Sequence, residues 1–113
     1  MEKKIISDVT KKVRYGQSQP TMKNKQIVNV PTYETNGEYL LIIKDVESCT
    51  IYLNAETTEA IKIKVLTKTN IISTNSLIDE LYEEIEIDNG ACIELEYVAG
   101  GWYIISSDGM KMN

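Results

Sequence analysis

The chain has no histidine, no phenylalanine, one tryptophan, two prolines and two cysteines in 113 residues. Each scarcity excludes something. Without histidine there is no imidazole to act as general base near neutral pH, and the commonest zinc ligand is missing. Cys49 and Cys92 lie far apart and belong to no CxxC pair. They therefore read as small apolar residues in a reducing compartment rather than as a disulfide or metal framework. No apolar run approaches the roughly eighteen residues of a membrane span, so no membrane insertion is expected. The start, MEKKIISDVTKKVRYG, has basic residues but neither an apolar core nor a small-residue cleavage site, so no secretory signal is read. No nucleophile stands beside a base and no phosphate loop is present. An enzyme is the least supported class, and no cofactor or metal is expected.

What is present is isoleucine, turn chemistry and a split charge. β-Branched isoleucine suits strands, and the length allows one small domain. The net charge of −5 conceals a basic start. Residues 1–25 hold Lys3, Lys4, Lys11, Lys12, Arg14, Lys23 and Lys25 against Glu2 and Asp8, a balance of +5 that leaves −10 for the rest. A basic arm on an acidic body implies different partners for the two parts. The acidic body and the absence of aromatic–basic interleaving argue against direct nucleic-acid binding and for docking on a negatively charged protein surface.

The last third is the clearest stretch. EEIEIDNGACIELEYVAGGWYIISSDG, residues 83–109, alternates apolar and polar residues between Asn-Gly, Gly-Gly and Asp-Gly. It reads as a β-meander. Asn89-Gly90 predicts a hairpin, Ala91, Ile93, Leu95 and Tyr97 share one face, Gly100-Gly101 reverses the chain, and Trp102–Ile105 returns. Upstream, Glu38–Lys44, Thr50–Leu53 and Ala60–Leu66 read as strands, the last with Ile61, Ile63 and Val65 on one side. Residues 70–88 are read as loop to about 80 and strand from about 82. A helical turn over 77–82, with Ser76-x-x-Asp79 as capping box, remains the alternative. Gln26–Pro31 reads as one extended segment within an arm of residues 1–35, leaving 36–113 as the β-domain. The expected fold is mainly β, a small antiparallel sandwich or meander with an extended N-terminal arm.

EYLLIIK and WYII are apolar without alternation, as in strands covered on both faces. A body of under about eighty residues has little core of its own and no staple. Sister chains are therefore expected to cover the second face. Tyr39, Leu41, Ile43, Ile63, Ile93, Leu95, Tyr97, Trp102 and Ile104 are the residues expected in the core or at that interface. Trp102 is expected to pack there, with a sugar-stacking role as the alternative. The acidic set Asp79, Glu80, Glu83, Glu84, Glu86 and Asp88 lacks calcium-loop spacing and reads as a solvated strand face.

The order of these segments resembles the terminal β-domain of tailed-phage head-fibre, tail-fibre and capsid-decoration proteins, crAss-like phages among their sources. The carriers are Thr50-Ile51-Tyr52-Leu53, Ile61-Lys62-Ile63-Lys64, Ile78-Asp79, Glu86–Gly90 and above all Gly101-Trp102-Tyr103-Ile104-Ile105-Ser106-Ser107-Asp108-Gly109. Asn54 stands where that pattern has Pro, and Glu80 where it has Gly. The resemblance implies an intertwined homotrimer on the capsid surface, assembled in the bacterial cytoplasm. It implies that residues 1–35, through Lys3, Lys4, Lys11, Lys12 and Arg14, anchor to the major capsid or another virion protein while the β-body projects. A host-receptor or glycan-binding fibre module, or a neck or tail adaptor, is the alternative, with a host-surface glycan as partner of the former.

Overall fold

The computed structural model describes residues 24–108. The protein is mainly β, and the described residues form nine strands in two facing sheets. They are β1 (Lys25–Val28), β2 (Thr32–Glu34), β3 (Leu40–Ile43), β4 (Ser48–Leu53), β5 (Ala60–Val65), β6 (Lys68–Ser73), β7 (Glu84–Ile87), β8 (Cys92–Val98) and β9 (Gly101–Asp108). The first sheet has the order β1-β3-β5-β8-β9 and the second β2-β4-β6-β7.

From β1 to β6 the chain changes sheet at every strand. Strands that follow one another in a sheet are therefore parallel: β1 with β3 with β5, and β2 with β4 with β6. Parallel neighbours need a crossover between them, and here the opposite sheet supplies it in place of a helix. The chain winds as three flattened coils. It then reverses: β7 pairs antiparallel with β6, β8 with β5, and β9 with β8. The sheets are thus mixed: the expected mainly β fold stands, and the antiparallel pairing expected of it holds for β6–β7, β5–β8 and β8–β9 but not among β1 to β6. Alternation marks which side of a strand is buried but is silent on the direction of its neighbour.

The core follows from period two. Leu41 and Ile43 of β3, Ile61, Ile63 and Val65 of β5, and Ile93 and Leu95 of β8 turn inward from the first sheet. Cys49, Ile51 and Leu53 of β4, Ile71 of β6, and Ile85 and Ile87 of β7 meet them from the second. The outward residues of β3, Leu40 and Ile42, are only partly covered within the single chain. The chain's own second sheet covers the inward face of β3.

Several boundaries differ from expectation. The body reaches back to Asn24: β1 and β2, expected within the arm, lie in the sheets because each completes a parallel ladder. Residues 1–23, with Lys3, Lys4, Lys11, Lys12 and Arg14, lie outside the described residues, as does Gly109. β6 occupies part of the expected loop, since Thr69, Ile71 and Ser73 supply its inward side. Asp88-Asn89-Gly90 does turn, with Gly90 at φ +96°, but it carries the chain from β7 in one sheet to β8 in the other. The expected hairpin is absent because β7 and β8 have different partners. The β8–β9 hairpin turns at Ala99-Gly100, both at positive φ as a tight two-residue turn requires, and Gly101 already belongs to β9.

Ile63 sits on the central strand of the first sheet with no exposed surface. Ile63→Ala should lower the unfolding free energy by about 2–4 kcal/mol in urea titration. Leu81→Ala, at a site 67% exposed, should stay within about 0.5 kcal/mol of the parent.

Candidate functional site

Three surface features bear on function: a sheet edge left unpaired among the described residues, a stapled turn and a cleft between loops. The edge belongs to β1. The Asn24 carbonyl accepts from Tyr39 N at 2.8 Å and the Val28 carbonyl from Lys44 N at 3.0 Å. Backbone groups alternate in direction along a strand, so those of Lys25 and Ile27 face away from β3. Gln26 Nε2 donates to the Ile27 carbonyl at 3.2 Å. Beside this edge Ile27, 52% exposed, lies with Leu40 and Ile42 along a shallow apolar depression. Farther across the same outer face the character changes, and Lys62 Nζ pairs with Glu94 at 3.2 Å.

The opposite end is closed by residues 77–82. Trp102 N donates to the Leu77 carbonyl at 3.2 Å, and Asp79 N donates to the Trp102 carbonyl at 2.8 Å. Asp79 Oδ1 accepts from Ile104 N at 2.9 Å, and Tyr103 OH donates to Glu80 Oε2 at 2.9 Å. That last bond holds the Tyr103 hydroxyl in its protonated form and raises its pKa. Asp79 and Glu80 both take positive φ. The segment is a tight turn with Ile78 bridged to Tyr82, not the helical turn of the alternative. It leaves Leu77, Leu81 and Tyr82 exposed at its tip.

The cleft opens between the β4–β5 loop, the β6–β7 loop and the β8–β9 hairpin, with a volume of about 180 Å³. One wall is set by Asn54. Its Oδ1 accepts from Glu56 N at 2.9 Å, its carbonyl accepts from Thr57 N and Thr58 N, and its Nδ2 donates to Glu34 at 2.7 Å. This is a side chain folding its own loop. Behind it, Thr35 Oγ1 accepts from Asn54 N and Thr58 Oγ1 from Gly37 N, both at 2.8 Å. Glu38, only 4% exposed, completes the support. Its carboxylate accepts from Tyr33 OH and, at 2.7 Å, from Asn36 N. The other wall carries Ser73 and Ser76, with their hydroxyl oxygens 2.9 Å apart. Tyr97 and Trp102 line the remaining side, with ring centroids 5.4 Å apart and planes at 58°, a separation and tilt favourable to aromatic pairs.

The residues expected at a core or interface divide unevenly. Leu41, Ile43, Ile63, Ile93 and Leu95 are fully buried within the single chain, and Trp102 is 1% exposed. Tyr97 and Ile104 are partly buried against them. Tyr39 alone is half exposed. The Trp102 ring is therefore not a free stacking platform. Of the acidic set, Glu80 and Asp79 serve the turn, and Glu86 pairs with Lys68 at 3.6 Å. Among the described residues no group of three or more potential ligands is placed to hold a metal ion, and no helix is long and apolar enough to cross a membrane. Both cysteines are free, and burial pushes the Cys49 thiol up, away from the reactive thiolate. The cleft and the β1 edge went unread in the sequence. The extended reading of Gln26–Pro31 was the signal for the edge strand, and nothing local announces that residues 54–56 and 73–76 meet.

No protein-family model matches the sequence, and no curated protein matches it significantly.

Two outcomes test this geometry. Trp102→Ala should cost about 3–5 kcal/mol of stability in urea titration, because a fully packed indole leaves a large void. Burial first, and the Glu38 hydrogen bond second, push the Tyr33 hydroxyl from 10.0 up to about 12. A raised folded-state value means that this contribution to stability is whole below about pH 10 and is lost as pH rises toward about 12. Tyr33→Phe should flatten the fall in urea midpoint over that window.

Proposed function

We propose that the chain is a non-enzymatic structural protein of a tailed-phage virion, a homotrimeric head-fibre or capsid-decoration protein. In this reading residues 1–23 dock on the major capsid or another virion protein and the β-body stands away from the shell. The observation that carries it is the segment Gly101–Gly109 with the strand order before it, together with the +5 balance of residues 1–25 against the acidic remainder. A stiff, disulfide-free two-sheet body suits a projecting knob. Association needs a surface other than the core, since Leu41, Ile43, Ile63, Ile93 and Leu95 are already covered. The outward residues Ile27, Tyr39, Leu40 and Ile42 supply an apolar one.

The adhesive alternative, a module for host receptors or glycans, is favoured by one observation, the polar cleft between loops. It requires a contact other than Trp102.

Deletion should stop before β1. The protein lacking residues 1–23 should keep its thermal transition and its mass in light scattering but lose binding to capsids. Retained decoration of particles by the shortened protein would sink the anchoring role. A parent protein that stays monomeric at micromolar concentration would sink the trimer.

A further inference from the structure

We propose that the cleft between the β4–β5 loop, the β6–β7 loop and the β8–β9 hairpin binds one neutral pyranose ring of a glycan. The inference gives the adhesive alternative its site and ligand class and rests on that reading; it does not depend on the virion role.

Size is the first argument. The cleft holds about 180 Å³, somewhat more than the roughly 150 Å³ of an enclosed apolar cavity that takes the flatter ring of benzene. It is below the range of about 300–1,000 Å³ usual for larger ligands. A volume of this size suits one ring rather than a chain of rings, with the rest of a glycan in solvent.

Lining chemistry is the second. A pyranose presents hydroxyls around its rim and a patch of C–H groups on its face. It needs both donors and acceptors on one side and a carbon surface on the other. Among the described residues the side chains of Glu56, Thr74 and Asn75 make no hydrogen bond to the protein, and all three are exposed at the cleft. Together they offer a carboxylate acceptor, a hydroxyl and an amide that both donates and accepts. Across from them the partly buried Tyr97, backed by Trp102, supplies the aromatic side.

Charge is the third. Among the described residues no lysine or arginine lines the cleft, and Glu56 adds a negative charge. Phosphorylated, sulfated and carboxylated ligands lack a counter-ion there and meet repulsion. Nucleic acid is disfavoured on the same ground. Neutral hexoses and N-acetylhexosamines remain.

Preorganisation is the fourth. The Asn54 bonds and the Thr35, Thr58 and Glu38 network fix the loop that carries Glu56. The Ser73–Ser76 contact holds the loop that carries Thr74 and Asn75. A rigid site of this size holding a few solvent-shared hydrogen bonds implies a dissociation constant on the order of millimolar for a free monosaccharide. Display in several copies would raise the avidity.

The test titrates the full chain with glucose, galactose, mannose and N-acetylglucosamine. Amide chemical shifts and the emission of Trp102, the only tryptophan, are followed. Glucuronate serves as the charged ring and sorbitol as the open chain. At least one neutral sugar should give saturable shifts centred on residues 54–56, 73–76 and 97. Glucuronate and sorbitol should bind more weakly. Asn75→Ala and Thr74→Ala each remove an exposed side chain without an internal bond. Each should weaken binding about three- to tenfold and leave the urea midpoint unchanged. Three results overturn the proposal: no saturable shift with any of the four sugars, equal binding of sorbitol or glucuronate, or binding that survives both substitutions. Absence of sugar binding leaves capsid decoration untouched, and absence of decoration leaves sugar binding untouched, so failure of the two readings can be told apart.

Discussion

Contact between two sheets made by one chain is the constraint on which the rest depends. Sheets that pack face to face lie about 10 Å apart, and the gap must be filled from both sides. Here the chain fills it by changing sheet at every strand from β1 to β6. Each coil lays one inward row on each side of the gap. Ile63 and Ile71 can be fully buried in so small a body only because every coil contributes to both walls. Loss of the alternation between sheets would leave two single layers, each with a wet apolar face.

That winding creates two unlike ends. The last strands run antiparallel, and the 77–82 turn bonds to Trp102 on the outer edge of β9. This end is stapled, and the staple costs two non-glycine residues at positive φ, a conformation disfavoured for side chains with a Cβ. The backbone and carboxylate bonds of Asp79 and the Tyr103–Glu80 bond offset that cost. At the other end β1 and β2 are edge strands among the described residues. Exposed edges invite pairing and are normally covered or charged. Lys25 stands on β1 beside the apolar depression of Ile27, Leu40 and Ile42, and Glu34 stands on β2.

The functional reading follows the same division of labour. The strands spend their inward side chains on the core, and their outward polar ones hold the face in solvent through pairs such as Lys62–Glu94 and Lys68–Glu86. Surface pairs of this kind add little stability. Loops at the mouth between the sheets are then free to carry recognition. Asn54 and the Thr35–Thr58–Glu38 network use short side-chain bonds to make one such loop rigid, and Glu56 rides on it.

Read alone, the sequence determined the class of the fold, the inward face of the strands that alternate and the position of most turns. These are local properties: a period of two identifies Ile61, Ile63 and Val65, or Ile93 and Leu95, as one face, and Asn-Gly and Ala-Gly-Gly mark reversals. Only the tertiary structure decided which strands are neighbours. Lys25 lies opposite Leu40 and Leu40 opposite Lys62, so the coils differ in length and leave no repeat to read. The same pattern of side chains serves a parallel or an antiparallel partner, which is why Asn89-Gly90 reads as a hairpin yet bridges two sheets. The cleft was hidden for the same reason. Residues 54–56, 73–76 and 97–102 are joined by the packing of the two sheets, and nothing in their own stretches of chain carries that information.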